Sequence, residues 1–172
     1  MTLSYGLFGF GYVITATFLV TIARTTDAGP VVEFLAWFVT GTAAALSLLA
    51  WRLLVRRVGA TATYAACIAL EAVGVLGSVL LPPMAGALVG GLFLGLTFMA
   101  VTAYGLQIGR TLAPESPRRA LAFMTAAFGT GQIAGPLAAG WLAEGSFTLP
   151  TVLAAAALTV SALLVVPILR KA

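Results

Sequence analysis

Long apolar runs broken by short polar clusters organise this chain. Runs of about 20 residues, the length needed to cross the hydrocarbon core of a bilayer, fall at roughly 3–23, 31–53, 60–80, 84–109, 118–142 and 147–169. The interruptions have physical causes. Arg24 and Asp27 stand just before Gly29-Pro30, combining charge with a turn signal. Arg56, Arg57 and Gly59 end the second run, and Pro82-Pro83 ends the third. Arg110 to Arg119, with Pro114 and Pro117 between them, forms the longest polar segment, and Glu144-Gly145-Ser146 closes the fifth run. The pattern predicts an all-α integral membrane protein, a single six-transmembrane-helix bundle over residues 1–172 with no linker and no low-complexity tail. The first run lacks the positive flank of a signal peptide and exceeds the roughly 7–15 apolar residues of one, so it is read as a first span.

Composition agrees with a lipid solvent. Of the 172 residues 61% are hydrophobic and 8% charged, and the mean hydropathy is +1.09. A soluble domain carries about 25% charged residues to face water. The net charge of +4 and pI near 9.8 could suggest nucleic acid, but the cations sort by loop and form no groove. Arg52, Arg56, Arg57, Arg110, Arg118, Arg119, Arg170 and Lys171 follow the even-numbered runs, whereas Arg24 stands on the opposite face with Asp27, Glu33 and Glu144. By the positive-inside rule the basic side is cytoplasmic, and an even number of spans puts both termini there.

The inventory of reactive groups is short. Cys67 is the one cysteine, and there is no histidine, which removes intrachain disulfides, Cys-x-x-Cys chemistry, Ser-His pairs and histidine metal sites. Ser47, Ser78 and Ser161 lie in apolar runs without a basic partner. No enzyme, metal site or cofactor is expected.

Helical spacing then separates faces within the runs. Gly86/Gly90, Gly91/Gly95 and Gly131/Gly135 are each four apart, the small-residue spacing that lets membrane helices approach closely. Pro136 lies in mid-run, tolerated where a neighbour or a cavity satisfies the freed carbonyl. Tyr5, Tyr12 and Thr15 share one face of the first run. Thr97, Tyr104 and Gln107 share a stripe of the fourth, and Thr125 and Gln132 a face of the fifth. Interhelical hydrogen bonding and the lining of a cavity both explain such residues, and three runs with a polar face favour a cavity. Glu71 is the one carboxylate deep in the hydrocarbon, where a charge costs about 2.5–3.5 kcal/mol. It is either a proton-coupling site or a neutral acid bonded to a neighbouring helix. With no basic residue at that depth, the second reading is favoured.

The arrangement resembles half of a major facilitator superfamily transporter. RLLVRRVG after the second run is similar to that superfamily's cytoplasmic loop signature, GxLaDRxGRR. Leu54, Arg57 and Gly59 match, while Arg52 and Arg56 replace its first Gly and its Asp, which removes the basis for the usual charge relay. YGLFGFGYVITATFL, GLFLGLTFMAVTAYGLQIGR and GTGQIAGPLAAG together resemble the C-terminal half of the YbfB/YjiJ-type family over nearly the whole chain. The resemblance implies secondary active transport of a small organic solute by alternating access, in a bacterial inner membrane. It also implies that the first, second, fourth and fifth helices line a cavity, with Tyr12, Thr15, Thr97, Tyr104 and Gln132 facing substrate and Glu71 off the path. The departure is length: the chain supplies six helices where the superfamily has twelve, so either it is a fragment of a larger gene or it works by pairing, with a second copy or with a separate N-terminal half. A non-transporting membrane fragment, or a structural subunit that needs a partner half, is the competing reading.

Overall fold

The computed structural model describes residues 1–24, 29–143 and 146–169, with the side chains of 18–24, 29 and 30 left aside. Asp27, Glu144, Arg170, Lys171 and the side chain of Arg24, all used in the charge count above, lie outside this description. Among the described residues every regular element is a helix: α1 (Thr2–Arg24), α2 (Gly29–Leu80), α3 (Pro83–Leu112), α4 (Pro117–Leu142), α5 (Thr148–Leu163) and the short α6 (Val166–Leu169).

Proline punctuates this order. Pro83 and Pro117 each stand in the first turn of a helix, where the missing N–H would have had no intrahelical partner. Pro167 does the opposite at the far end. It cannot donate to the carbonyl four residues back, and the expected sixth run, 147–169, accordingly breaks after Leu163 before α6 resumes.

The 52 residues of α2 contain one non-helical residue, Gly59, at φ 83° and ψ 170°. No other side chain crowds the position; the positive φ itself requires glycine. Contacts with α3 reveal what Gly59 does. Gly86 lies against Ser78 and Gly105 against Tyr64, so α3 runs antiparallel to the 60–80 limb. Ala87 clusters with Val32 and Ala36, while the Leu96 carbonyl accepts from Ser47 and from Trp51, so α3 runs parallel to the 29–58 limb. The two limbs therefore run in opposite senses. A single left-handed residue reverses the chain between limbs of roughly 45 and 31 Å at the rise of an α-helix.

The same reading of neighbours orients the rest. Gly6 lies against Ala127 and Gly135 against Phe10 and Ile14, which makes α1 and α4 parallel. Ser4 bonds to Ser161 while Gly11 meets Ala154 and Leu158, which makes α5 antiparallel to α1. Gly105 meets Tyr5 while Phe98 meets Tyr12, which makes α3 antiparallel to α1. Counting the two limbs of α2 separately, direction therefore alternates along the chain from α1 through α5, as short connections between neighbouring helices require. The buried cluster centres on Phe8, Ile14, Tyr64, Ile68, Val101, Met124 and Leu158. Outside it, Leu49, Leu53, Ile133, Leu137 and Trp141 stand exposed, an apolar surface suited to lipid. Among the described residues Val31–Leu80, Pro83–Leu112 and Thr148–Leu169 are long and apolar enough to cross a bilayer.

Candidate functional site

The α1–α4 contact builds the site from glycine upward. A Cβ on Gly131 would collide with the Gly6 carbonyl and the Phe10 amide, and one on Gly9 would lie 2.5 Å from the Phe128 carbonyl oxygen. At Gly131 the two backbones are too close for any side chain. That proximity carries Gln132, the next residue of α4, to α1, where its Nε2 donates to the Tyr12 hydroxyl. Pro136, four residues on, has no N–H for the Gln132 carbonyl, so the same residue is also left without its helical backbone partner.

Aromatic rings surround the pair. The Tyr12 ring stacks on Phe128 at 5.5 Å and 6°, and meets Phe98 at 4.9 Å and Phe8 at 5.2 Å. Beside Tyr12 opens a cleft of about 170 Å³ between α1, the first limb of α2 and α3, lined by Tyr12, Ala16, Trp37, Thr40, Leu94 and Phe98. It carries no charged side chain. The Thr40 hydroxyl donates to its own Ala36 carbonyl at 2.7 Å and offers no free proton to a ligand.

A model of one transporter family matches residues 1–166. The chain belongs to the family of the uncharacterised MFS-type transporter YbfB. No curated protein and no solved structure matches it. For a member of a transporter family, the apolar helices and lipid-facing surface make this a multi-pass membrane protein.

In this YbfB-family chain the residues singled out from sequence separate into groups. Tyr12 and Gln132 come together, both half-buried; Tyr12 lines the cleft and Gln132 reaches it from α4, outside the lining. Thr97 is fully buried and turned away from it: its hydroxyl lies 2.9 Å from Glu71 Oε2 and 2.7 Å from the Phe93 carbonyl. Glu71 is therefore bonded across to α3. Its Oε1 and the Thr15 hydroxyl are buried with no hydrogen-bond partner among the described residues. Tyr104 belongs to the core cluster with Cys67 and Ile68, and Gln107 and Thr125 are exposed. Arg57 is exposed just before Gly59, whose carbonyl accepts from the Thr63 hydroxyl at 2.8 Å.

One buried cluster escaped the sequence reading. Ser4, Tyr64 and Ser161 meet across α1, the 60–80 limb and α5. Hydroxyls inside apolar runs were the available signal, but spacing alone does not say which runs face each other.

Proposed function

We propose that this chain is a six-crossing half of a secondary transporter, moving a small neutral or amphipathic organic solute by alternating access. The observation that carries the reading is the Tyr12–Gln132 pair. It is a polar bridge between two parallel helices, half-buried beside an uncharged cleft and next to a proline-freed carbonyl. Irregular backbone and unpaired polar groups at membrane depth persist where they line a cavity. The alternation of helix direction supports six crossings with both ends on one side, and the arginines around Gly59 and Pro117 support the cytoplasm, inside a bacterial inner membrane, as that side. On this reading Thr97 and Glu71 form a packing contact behind the site, and Thr15 and Tyr104 support it from within the bundle.

Alternating access needs a second half to rock against. A second copy or a separate N-terminal six-helix half fills that role. The test is solute flux into proteoliposomes containing the chain alone, then the chain with an N-terminal half supplied. Saturable flux that Gln132→Leu reduces supports transport. A stable bundle with no flux in either arrangement would instead establish a non-transporting membrane subunit.

A further inference from the structure

We propose that Glu71 stands inside the bundle as the neutral acid and, together with Thr15, binds one buried water molecule. The two side chains belong to different helices and both are almost wholly buried. Each keeps one oxygen without a hydrogen-bond partner among the described residues, Glu71 Oε1 and Thr15 Oγ1. Thr40, Thr63, Thr151 and Thr159 each donate to the carbonyl four residues back, and Thr15 does not, so its hydrogen is left for another acceptor. In protein interiors an ordered water is the common partner of such groups.

Register brings the two oxygens to one place. The Ser4 and Tyr64 hydroxyls lie 3.1 Å apart, and α1 runs parallel to the 60–80 limb, both being antiparallel to α3. Seven residues further along each helix, Gly11 stands level with Glu71, and Thr15 follows one turn later on the stripe of Ser4, Phe8 and Gly11. Helix α3 gives the same level independently. Thr97 bonds to Glu71, while the ring of Phe98 meets Tyr12, the neighbour of Gly11. One helical turn rises about 5.4 Å, the span of two successive hydrogen bonds of about 2.8 Å through a single water oxygen.

Hydrogen counting fixes the protonation state. Thr97 Oγ1 lies 2.7 Å from the Phe93 carbonyl and 2.9 Å from Glu71 Oε2, but it carries one hydrogen. With the carboxyl ionised, one of these contacts has no hydrogen in it. With the proton on Oε2, Glu71 donates to Thr97 and Thr97 donates to Phe93, so both are hydrogen bonds. Oε1 is then the carbonyl oxygen of the acid and accepts from the water, which accepts from Thr15. The titratable side chains of the surrounding cluster are Tyr5 and Tyr12 on α1, Tyr64 and Cys67 on the same limb, and Tyr104 on α3, while α5 contributes Ser161. None of these side chains can carry a positive charge to hold a carboxylate at this depth.

The test is infrared spectroscopy of the full chain in nanodiscs, in ordinary and in ¹⁸O-labelled water. A protonated-carboxyl C=O band should be present at neutral pH and be lost in Glu71→Gln. A sharp water O–H band should shift in the labelled water and be lost in Thr15→Val, which keeps the side chain's shape. Thr15→Val should also raise the frequency of the carboxyl band, because its carbonyl oxygen loses a donor. If Glu71→Gln does not fold, the response of that band to Thr15→Val and Thr97→Val reads the site with Glu71 in place. An ionised-carboxylate signature at Glu71, with or without added sodium, overturns the proposal, as does a carboxyl band indifferent to Thr15→Val. These readouts need no flux, so the site and the transport reading stand or fall separately.

Discussion

Two polar contacts cross this bundle at the level of apolar side chains, and they differ in how completely they are satisfied. Ser4, Tyr64 and Ser161 are almost wholly buried, and their hydroxyls close on one another. Ser4 Oγ donates to the Ser161 carbonyl at 2.9 Å, Ser161 Oγ returns to the Ser4 carbonyl at 2.7 Å, and the Tyr64 hydroxyl sits 3.1 Å from Ser4 Oγ. Tyr12 and Gln132 are half-buried, share one hydrogen bond, and keep a donor and an acceptor in reserve. Both contacts start from α1, two turns apart. The closed one can only hold helices together, since nothing remains for a ligand to take. The open one keeps hydrogen-bonding capacity that a binding site can use, and its Tyr12 side chain also lines a cleft.

The largest expected effect comes from the backbone contact that supports the open pair. Gly131→Leu places a side chain where the Gly6 carbonyl and Phe10 amide now lie, and α4 must move off α1. Overpacking costs about 1–3 kcal/mol in a relaxed core, and here the obstacle is backbone, which yields less than a side chain. Thermal unfolding in detergent should show the loss, and a cysteine crosslink between positions 12 and 132 should fail in the same variant. Normal crosslinking in a destabilised protein would mean the glycine does not set the helix separation.

Glycine spacing, turn signals and charge made much of the fold legible before any coordinates. Arg56, Arg57 and Gly59 mark a reversal between two limbs, and Gly131/Gly135 mark a close helix contact. What spacing could not provide was the partner of each face. Thr97 and Gln132 look alike in sequence, each a polar residue in a glycine-containing run. Yet the first turns to Glu71 and the second to Tyr12, because the rotation of each helix is decided by packing across the bundle. Ser4 and Ser161 were illegible for the same reason, being 157 residues apart. The break after Leu163 was available from Pro167 and shortens the last run.

A middle-sized effect should come from the closed cluster. Tyr64→Phe deletes one hydroxyl from a fully buried site and should cost about 1 kcal/mol. A Ser4→Ala, Ser161→Ala double-mutant cycle should show coupling near the average for membrane helices, about 0.6 kcal/mol, and no more than about 1.7. Reversible unfolding in mixed micelles reads both. Additive single mutants would remove the distinction between the two contacts, because the closed cluster would then carry no cooperative energy. Solute binding should be untouched by either change.

The smallest change in stability should coincide with the clearest change in function. Gln132 is half-buried and makes one side-chain hydrogen bond, so Gln132→Leu, which keeps the side chain's bulk, should alter unfolding by less than about 0.5 kcal/mol. Apolar bulk at membrane depth even offsets the lost bond, since leucine needs no partner in lipid. Ligand binding should respond in the opposite sense. The substitution removes the acceptor Oε1 and frees the Tyr12 hydroxyl to rotate, so both reserve groups are lost or misplaced together. One hydrogen bond's worth of affinity, about threefold to tenfold, should disappear from any solute that uses the pair. A solute held by ring contacts alone should bind as before. If Gln132→Leu instead destabilises as strongly as Tyr64→Phe and leaves binding intact, Tyr12–Gln132 is a second structural tie, and the cleft beside it is a packing defect filled by lipid.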